Sequence, residues 1–204
     1  MPAPDTVETP FGPARVHLRG VEDARATLVL GHGAGGGVEA PDLAAATEAA
    51  LSKQIMVALV EQPYRVAGRR SPPRAPQLDA AWIAVVAQLR AGDLRGLPLI
   101  VGGRSLGGRV ACRTAAETGA VAVLCLAFPL QPPRRSASPA PSRLAELDAV
   151  EVPMLIVQGE RDPFGIPPAA PRREVVTVAG DHGLKADLDG VRTAVAEWLG
   201  GIAL

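Results

Sequence analysis

The stretch VGGRSLGGRV, residues 101–110, sets one serine among four glycines. An apolar run, Leu97 to Val101, leads in, and a helix-forming run, Val110 to Glu117, leads out. Glycine two residues before and two after a serine removes side chains where a strand turns sharply into a helix, and a turn that abrupt lifts the hydroxyl clear of the sheet. A Gly-rich turn whose serine merely caps the helix would read the same way locally, so chemistry has to be argued from partners. A serine hydroxyl is a poor nucleophile at neutral pH and needs a histidine base held by a carboxylate.

The chain has three histidines, which permits elimination. His17 falls in a strand, far from any strand-to-helix turn. His32 opens a glycine loop. His182 sits in AGDHGL, after the last expected strand and before the last helix, where a loop can swing its ring over a neighbouring strand end. His182 is the best base. A carboxylate between serine and histidine is offered by GERDPFGIP, 159–167, directly after the apolar run PMLIVQ. Asp162, in a turn before Pro163, is the first choice, with Glu160 as runner-up. Asp181 adjoins the base and is badly placed to orient it. Acyl transfer also needs backbone N–H groups aimed at the developing oxyanion, and GHGAGGG, 31–37, straight after ATLVL, lets the backbone approach a substrate without side-chain clash. A phosphate cradle is the competing reading of that loop, but the chain lacks G-x-x-x-x-G-K-[ST] and the acidic partner of a dinucleotide fold.

Short apolar runs alternate with longer amphipathic or Ala-rich segments. Strands are expected near 13–18, 26–31, 54–61, 97–103, 121–127, 153–158 and 174–179, and helices near 40–53, 77–91, 106–118, 142–149 and 187–199. ATLVL, PLIV, VAVLCLAF and PMLIV are near-continuous apolar runs, as strands covered on both faces require. PQLDAAWIAVVAQLRAG shows helical spacing through Leu78, Ala81, Trp82, Val85 and Leu89. The alternation predicts an α/β fold, a mainly parallel doubly wound sheet with helices on both faces, as a single domain over 1–204. Two Pro-rich stretches, 62–76 and 129–141, read as loops at the carboxyl edge of the sheet, where ligands bind.

Composition narrows the partners. With 21 basic and 21 acidic side chains the formal net charge is zero, so no bulk field draws the chain to nucleic acid or membrane. No apolar run approaches a transmembrane span, the N-terminus has no secretory pattern, and a cytoplasmic location is expected. Cys112 and Cys125 lie in apolar surroundings and read as small hydrophobes rather than as metal ligands. No metal or cofactor is called for. Only Lys53 and Lys185 are lysines, and arginines cluster in the 62–76 stretch as Arg65, Arg69, Arg70 and Arg74. That stretch is expected to leave the sheet beside Ser105. Together with Arg104, Arg65 and Arg69 are candidate substrate contacts for a carboxylate or phosphate group.

Taken together, HGAGGG, then GRSLG, then GERD, then DHG, in the order Ser, Asp, His, resembles the α/β-hydrolase fold. Within it the chain is similar to small dienelactone-hydrolase-like serine hydrolases that lack a cap domain. The resemblance implies Ser105 as nucleophile, His182 as base and Asp162 as orienting acid, with the N–H groups of Ala34 and Leu106 as the oxyanion hole. Dienelactone hydrolases carry a cysteine where this chain has Ser105, and position 104 is Arg where a histidine or aromatic is more familiar. The implied activity is hydrolysis of a small soluble carboxylic ester or related acyl compound through an acyl-enzyme. An acyltransferase using the same residues, or a non-catalytic interaction module, are the alternatives. About a dozen residues separate Phe128 from the helix expected near Ser142, too few for a helical lid.

Overall fold

The computed structural model describes residues 4–131 and 141–203. In chain order the elements are β1 (Asp5–Thr9), β2 (Gly12–Arg19), β3 (Ala26–Gly31), α1 (Pro41–Ser52), β4 (Ile55–Glu61), α2 (Pro63–Val66), α3 (Ala75–Ala91), β5 (Leu99–Arg104), α4 (Leu106–Thr118), β6 (Ala122–Leu126), α5 (Leu144–Asp148), β7 (Met154–Gly159), β8 (Arg173–Val178) and α6 (Leu188–Gly201). The eight strands form one sheet in the order β1-β2-β4-β3-β5-β6-β7-β8. β3 to β8 are mutually parallel, while β1 and β2 form an antiparallel hairpin and β2 pairs antiparallel with β4.

The near-continuous apolar strands are buried on both faces because each contributes alternate residues to two cores. Val29, Val101, Val123 and Ile156 point into a core with Trp82 of α3, Val110 of α4 and Leu147 of α5. Leu30, Ile100, Leu124 and Val157 point into the other, with Leu43 of α1 and Val195 of α6. A fully buried aliphatic side chain of this kind stabilises the fold by about 1.5–3 kcal/mol. β3 feeds α1 on one face while β5 feeds α4 on the opposite face. These two strands are direct neighbours, with Gly31 opposite Gly103, so a crevice opens between their carboxyl ends.

Four features depart from the sequence-based expectation. β1 was not anticipated: only Val7 of its five residues is buried, so it carries almost no hydrophobic pattern. The stretch 62–76 is not all loop. Proline starts helices here, with Pro63 opening α2 and Pro76 in the first turn of α3, which begins two residues earlier than expected; a proline in the first turn gives up no intrahelical bond. That stretch also does not leave the sheet beside the serine strand, because β3 lies between β4 and β5. The helix expected over 142–149 is confined to α5. Of the second Pro-rich stretch, residues 132–140 lie outside the described residues; beside it, Arg143 N–H donates to Leu130 O at 2.8 Å. Among the described residues no helix is long and apolar enough to cross a membrane.

The β5–α4 turn is tight because backbone packs on backbone. A Cβ placed on Gly107 would come within 2.2 Å of Gly31 O and 2.4 Å of Gly31 C. Neither atom belongs to a side chain that could turn away. The variant Gly107→Ala must therefore separate β3 from α4, and we expect it to lose at least 1–3 kcal/mol, about the usual overpacking cost. Denaturant unfolding monitored by circular dichroism would measure it, and an unchanged midpoint would disprove the contact.

Candidate active site

Ser105 is the residue between β5 and α4, with φ 51° and ψ −105°. A positive φ at a residue with a Cβ is strained, of order 1–3 kcal/mol, and persists because the flanking groups hold it. Its N–H donates to Leu126 O at 2.8 Å, and its carbonyl accepts from Arg109 N–H at 3.2 Å. The side chain is left partly exposed at the crevice between β3 and β5.

His182 comes from the β8–α6 loop. Asp181 Oδ1 accepts from Gly183 N–H at 2.8 Å and turns the chain there, while the loop backbone lies on the end of β7: a Cβ on Gly159 would fall 2.3 Å from Asp181 O. The imidazole Nε2 lies 2.9 Å from Ser105 Oγ, and Nδ1 lies 2.7 Å from Asp162 Oδ2. A carboxylate can only accept, so Nδ1 carries the proton and Nε2 is free to accept from the serine hydroxyl. Asp162 is buried and Glu160 is exposed, so the carboxylate that meets His182 is the first of the two sequence candidates.

Two neighbours of this relay carried no recognisable signal in the sequence. Gln158, fully buried in β7, places its amide nitrogen 2.8 Å from Asp162 Oδ2, 3.1 Å from Phe128 O and 2.9 Å from Gly165 O. With Phe164 N–H donating to Asp162 Oδ1 at 2.8 Å, both carboxylate oxygens are fixed. The Phe164 ring meets the His182 ring edge to face, centroids 4.5 Å apart. A lone Gln in an apolar strand and a Phe in a turn acquire meaning only from what the fold packs around them.

The glycine loop after β3 is held from three sides. Gln62 N–H donates to His32 Nε2 at 3.1 Å, which leaves the ring proton on Nδ1, and Nδ1–H donates to Gly33 O at 2.8 Å. In a trans peptide the C=O and N–H point in opposite directions. Pinning Gly33 O therefore fixes where the Ala34 N–H points. The next carbonyl, Ala34 O, accepts from Tyr64 Oη at 3.1 Å. Across the crevice, Leu106 is the first residue of α4, so its N–H has no intrahelical acceptor. Burial pushes the His32 imidazole below its ordinary pKa and the Tyr64 hydroxyl up to about 12, so both remain neutral in their roles here.

The arginines divide. Arg104, last in β5, has protein partners: Asp42 Oδ2 lies 2.9 Å from Nε, and His182 O accepts from Nη2 at 3.0 Å. Arg65 is half-buried on α2 and Arg69 is exposed. Arg69 lines a cavity of about 150 Å³ with Phe11, Gln62, Tyr64 and Gln77. Two residues of its lining, Gln62 and Tyr64, bond to the glycine loop, and among the described residues no hydrogen bond or ion pair joins Arg65 or Arg69 to Ser105, His182 or Asp162. Cys112 and Cys125 are free and buried, their sulfurs 3.5 Å apart. Among the described residues no group of three or more His, Cys, Asp or Glu side chains is gathered as a metal would require.

Strand order, the strained serine at the β5–α4 turn and a histidine after β8 define the α/β-hydrolase class. The chain belongs to that family: the alpha/beta hydrolase domain matches residues 24–190. No curated protein sequence matches it. Among solved structures it is similar to a lid-less α/β serine hydrolase of Xanthomonas campestris, at 19% identity and TM-score 0.73, over 98% of this chain and 96% of that one. It is also similar to Est1E of Butyrivibrio proteoclasticus, at 16% identity and TM-score 0.79, over 97% and 98%. A third likeness is to a dienelactone hydrolase of Anabaena variabilis, at 17% identity and TM-score 0.76, over 100% of both chains.

The buried His32 gives the glycine loop a pH limit. Its folded pKa is depressed below 6.5, so the unfolded chain takes up the proton first on acidification. The stability it supports is complete above about pH 6.5 and is lost as pH falls through the depressed value, at no more than about 1.4 kcal/mol per pH unit. His32→Asn keeps an N–H donor and does not titrate. Stability measured against pH should therefore fall less steeply below 6.5 in that variant; parallel curves would show that His32 does not carry the effect.

Proposed function

We propose that the protein is a serine hydrolase that cleaves a small soluble carboxylic ester through an acyl-enzyme on Ser105. The observation that carries this reading is His182 lying between Ser105 Oγ at 2.9 Å and Asp162 Oδ2 at 2.7 Å. Ser105 Oγ attacks the ester carbonyl while His182 Nε2 takes its proton. The developing oxyanion is received by the N–H groups of Ala34 and Leu106, each such donor being worth about 3–4 kcal/mol in the transition state. His182 then gives the proton to the leaving alkoxide, the ester C–O bond breaks, and the acyl group stays on Ser105. Water enters, loses a proton to His182 and attacks the acyl carbon; the acid leaves as Ser105 recovers its proton. Asp162 keeps the ring in the reactive tautomer and stabilises the imidazolium formed in each half.

An acidic group on the substrate would find Arg69 in the cavity walled by Tyr64 and Gln77. Ser105 and His182 are partly exposed, which favours short acyl groups that need little apolar wall.

Four substitutions test the chemistry. Ser105→Ala and His182→Ala should each lower kcat by ~10⁴–10⁶-fold on a p-nitrophenyl ester, because the members act as a unit. Asp162→Asn should lower it by up to ~10⁴-fold through the wrong tautomer, with Glu160→Gln near wild type. Full turnover by Ser105→Ala, or a larger loss from Glu160→Gln than from Asp162→Asn, would overturn these roles.

Chain-length dependence tests the substrate class. Rates across p-nitrophenyl esters should be highest for the shortest acyl groups and should not jump when substrate forms an interface. A maximum at long acyl chains would refute a small-ester hydrolase.

A further inference from the structure

Arg104 is the residue immediately before Ser105, and its guanidinium meets three separate segments. Nη2–H donates to the backbone carbonyl of His182 at 3.0 Å. Nε lies 2.9 Å from Asp42 Oδ2 in the first turn of α1; the contact pairs the charges, although that oxygen accepts no well-aligned hydrogen bond. Nη1 packs against the glycine loop: a Cβ on Gly33 would come within 2.8 Å of it, and within 3.8 Å of Ser105 Cβ. The Asp42 side chain is 1% exposed and that of Arg104 19%, so water does little to loosen the pair.

These contacts cross the crevice. Gly33 O is the carbonyl whose orientation directs the Ala34 N–H, and His182 carries the ring that faces Ser105. One planar guanidinium therefore touches the segment bearing an oxyanion donor and the segment bearing the base, and it is anchored one peptide bond from the nucleophile. Asp42 faces the Nε edge of the guanidinium; burial raises its carboxyl pKa, and the Arg104 charge opposes that rise. A side chain at position 33 would have to displace the Arg104 guanidinium.

Resting on the serine-hydrolase reading above, we infer that Arg104, clamped by Asp42, is a positioning residue that sets the distance between the His182 loop and the oxyanion loop. It acts on the transition state through backbone it holds, not through contact with substrate. Misplacement by about 1 Å can cost 10²-fold in rate, which is the scale expected when this strut is removed.

The test separates geometry from mere stability. Replacing both members, Asp42→Leu with Arg104→Met, leaves no unpaired buried charge, and such exchanges are often neutral for folding. Wild type and the double variant are compared for thermal midpoint, for the rate of labelling at Ser105 by a fluorophosphonate, and for kcat and KM on p-nitrophenyl acetate. The expected result is labelled wild type, and a double variant with a near-native midpoint, KM little changed, and both labelling rate and kcat lower by about 10²-fold. Arg104→Lys supplies a second reading. A lysine retains the charge beside Asp42 but cannot span to His182 O in the same plane, so kcat should stay low while the midpoint holds. Labelling of the double variant at the wild-type rate, or full recovery of kcat by lysine, would overturn the positioning role while leaving Ser105 as nucleophile. An unlabelled wild type would take down both the role and the functional reading beneath it. Should the double variant fail to fold, Arg104→Lys decides on the same measurements.

Discussion

Everything at the candidate site depends on how closely two backbones meet. The end of β3 and the first turn of α4 touch at Gly31 and Gly107, with no room for a β-carbon between them. That contact sets how far apart the glycine loop and the serine turn can be, and so fixes the width of the crevice between β3 and β5. The strained conformation of Ser105 follows from it: α4 must begin at once after β5 to lie against Gly31, and only a positive φ turns the chain that sharply. The strain is sustained by the two cores on either side of the sheet, which hold β5 and α4 far more firmly than a turn could hold itself.

Around this contact the polar groups form a chain of restraints in which each group fixes the next. Gln158 and Phe164 N–H hold Asp162; Asp162 holds His182; His182 faces Ser105. On the opposite wall Gln62 N–H fixes the His32 tautomer, His32 fixes the Gly33 carbonyl, and Tyr64 fixes the carbonyl after it. A buried polar network of this kind is costly when any member is unsatisfied. Its cost falls on stability, and its return is a set of donors and acceptors already oriented before any substrate arrives.

The sequence made the parallel strands legible because a strand buried on both faces must be apolar throughout, and little else produces four such short runs. It made Ser105, His182 and the Asp162-or-Glu160 choice legible because glycine spacing and a small number of histidines leave few arrangements. What it hid had weak local pattern. β1 buries one side chain, α2 is a single turn begun by a proline, and the placing of β4 outside β3 follows from the winding of the chain. The choice between Asp162 and Glu160 needed burial, which depends on how the β7 and β8 ends pack. Arg104 was conspicuous beside the serine, but its direction depends on Asp42, 62 positions away in sequence.

The partners that meet at the crevice are scattered along the chain: His182 reaches Ser105 across 77 residues and Asp162 across 20. β8, which delivers His182, is the outermost strand of its side of the sheet and pairs with β7. Contacts between distant parts of a chain form slowly, because loop entropy must be lost before they are rewarded. The serine turn depends on such a contact too, because α4 lies against Gly31, which precedes β4 and α3 in the chain. Neither the nucleophile's turn nor its base is therefore complete until distant segments have docked. Reactivity at Ser105 is consequently a late event in folding, acquired only once the chain is joined from β3 through to α6.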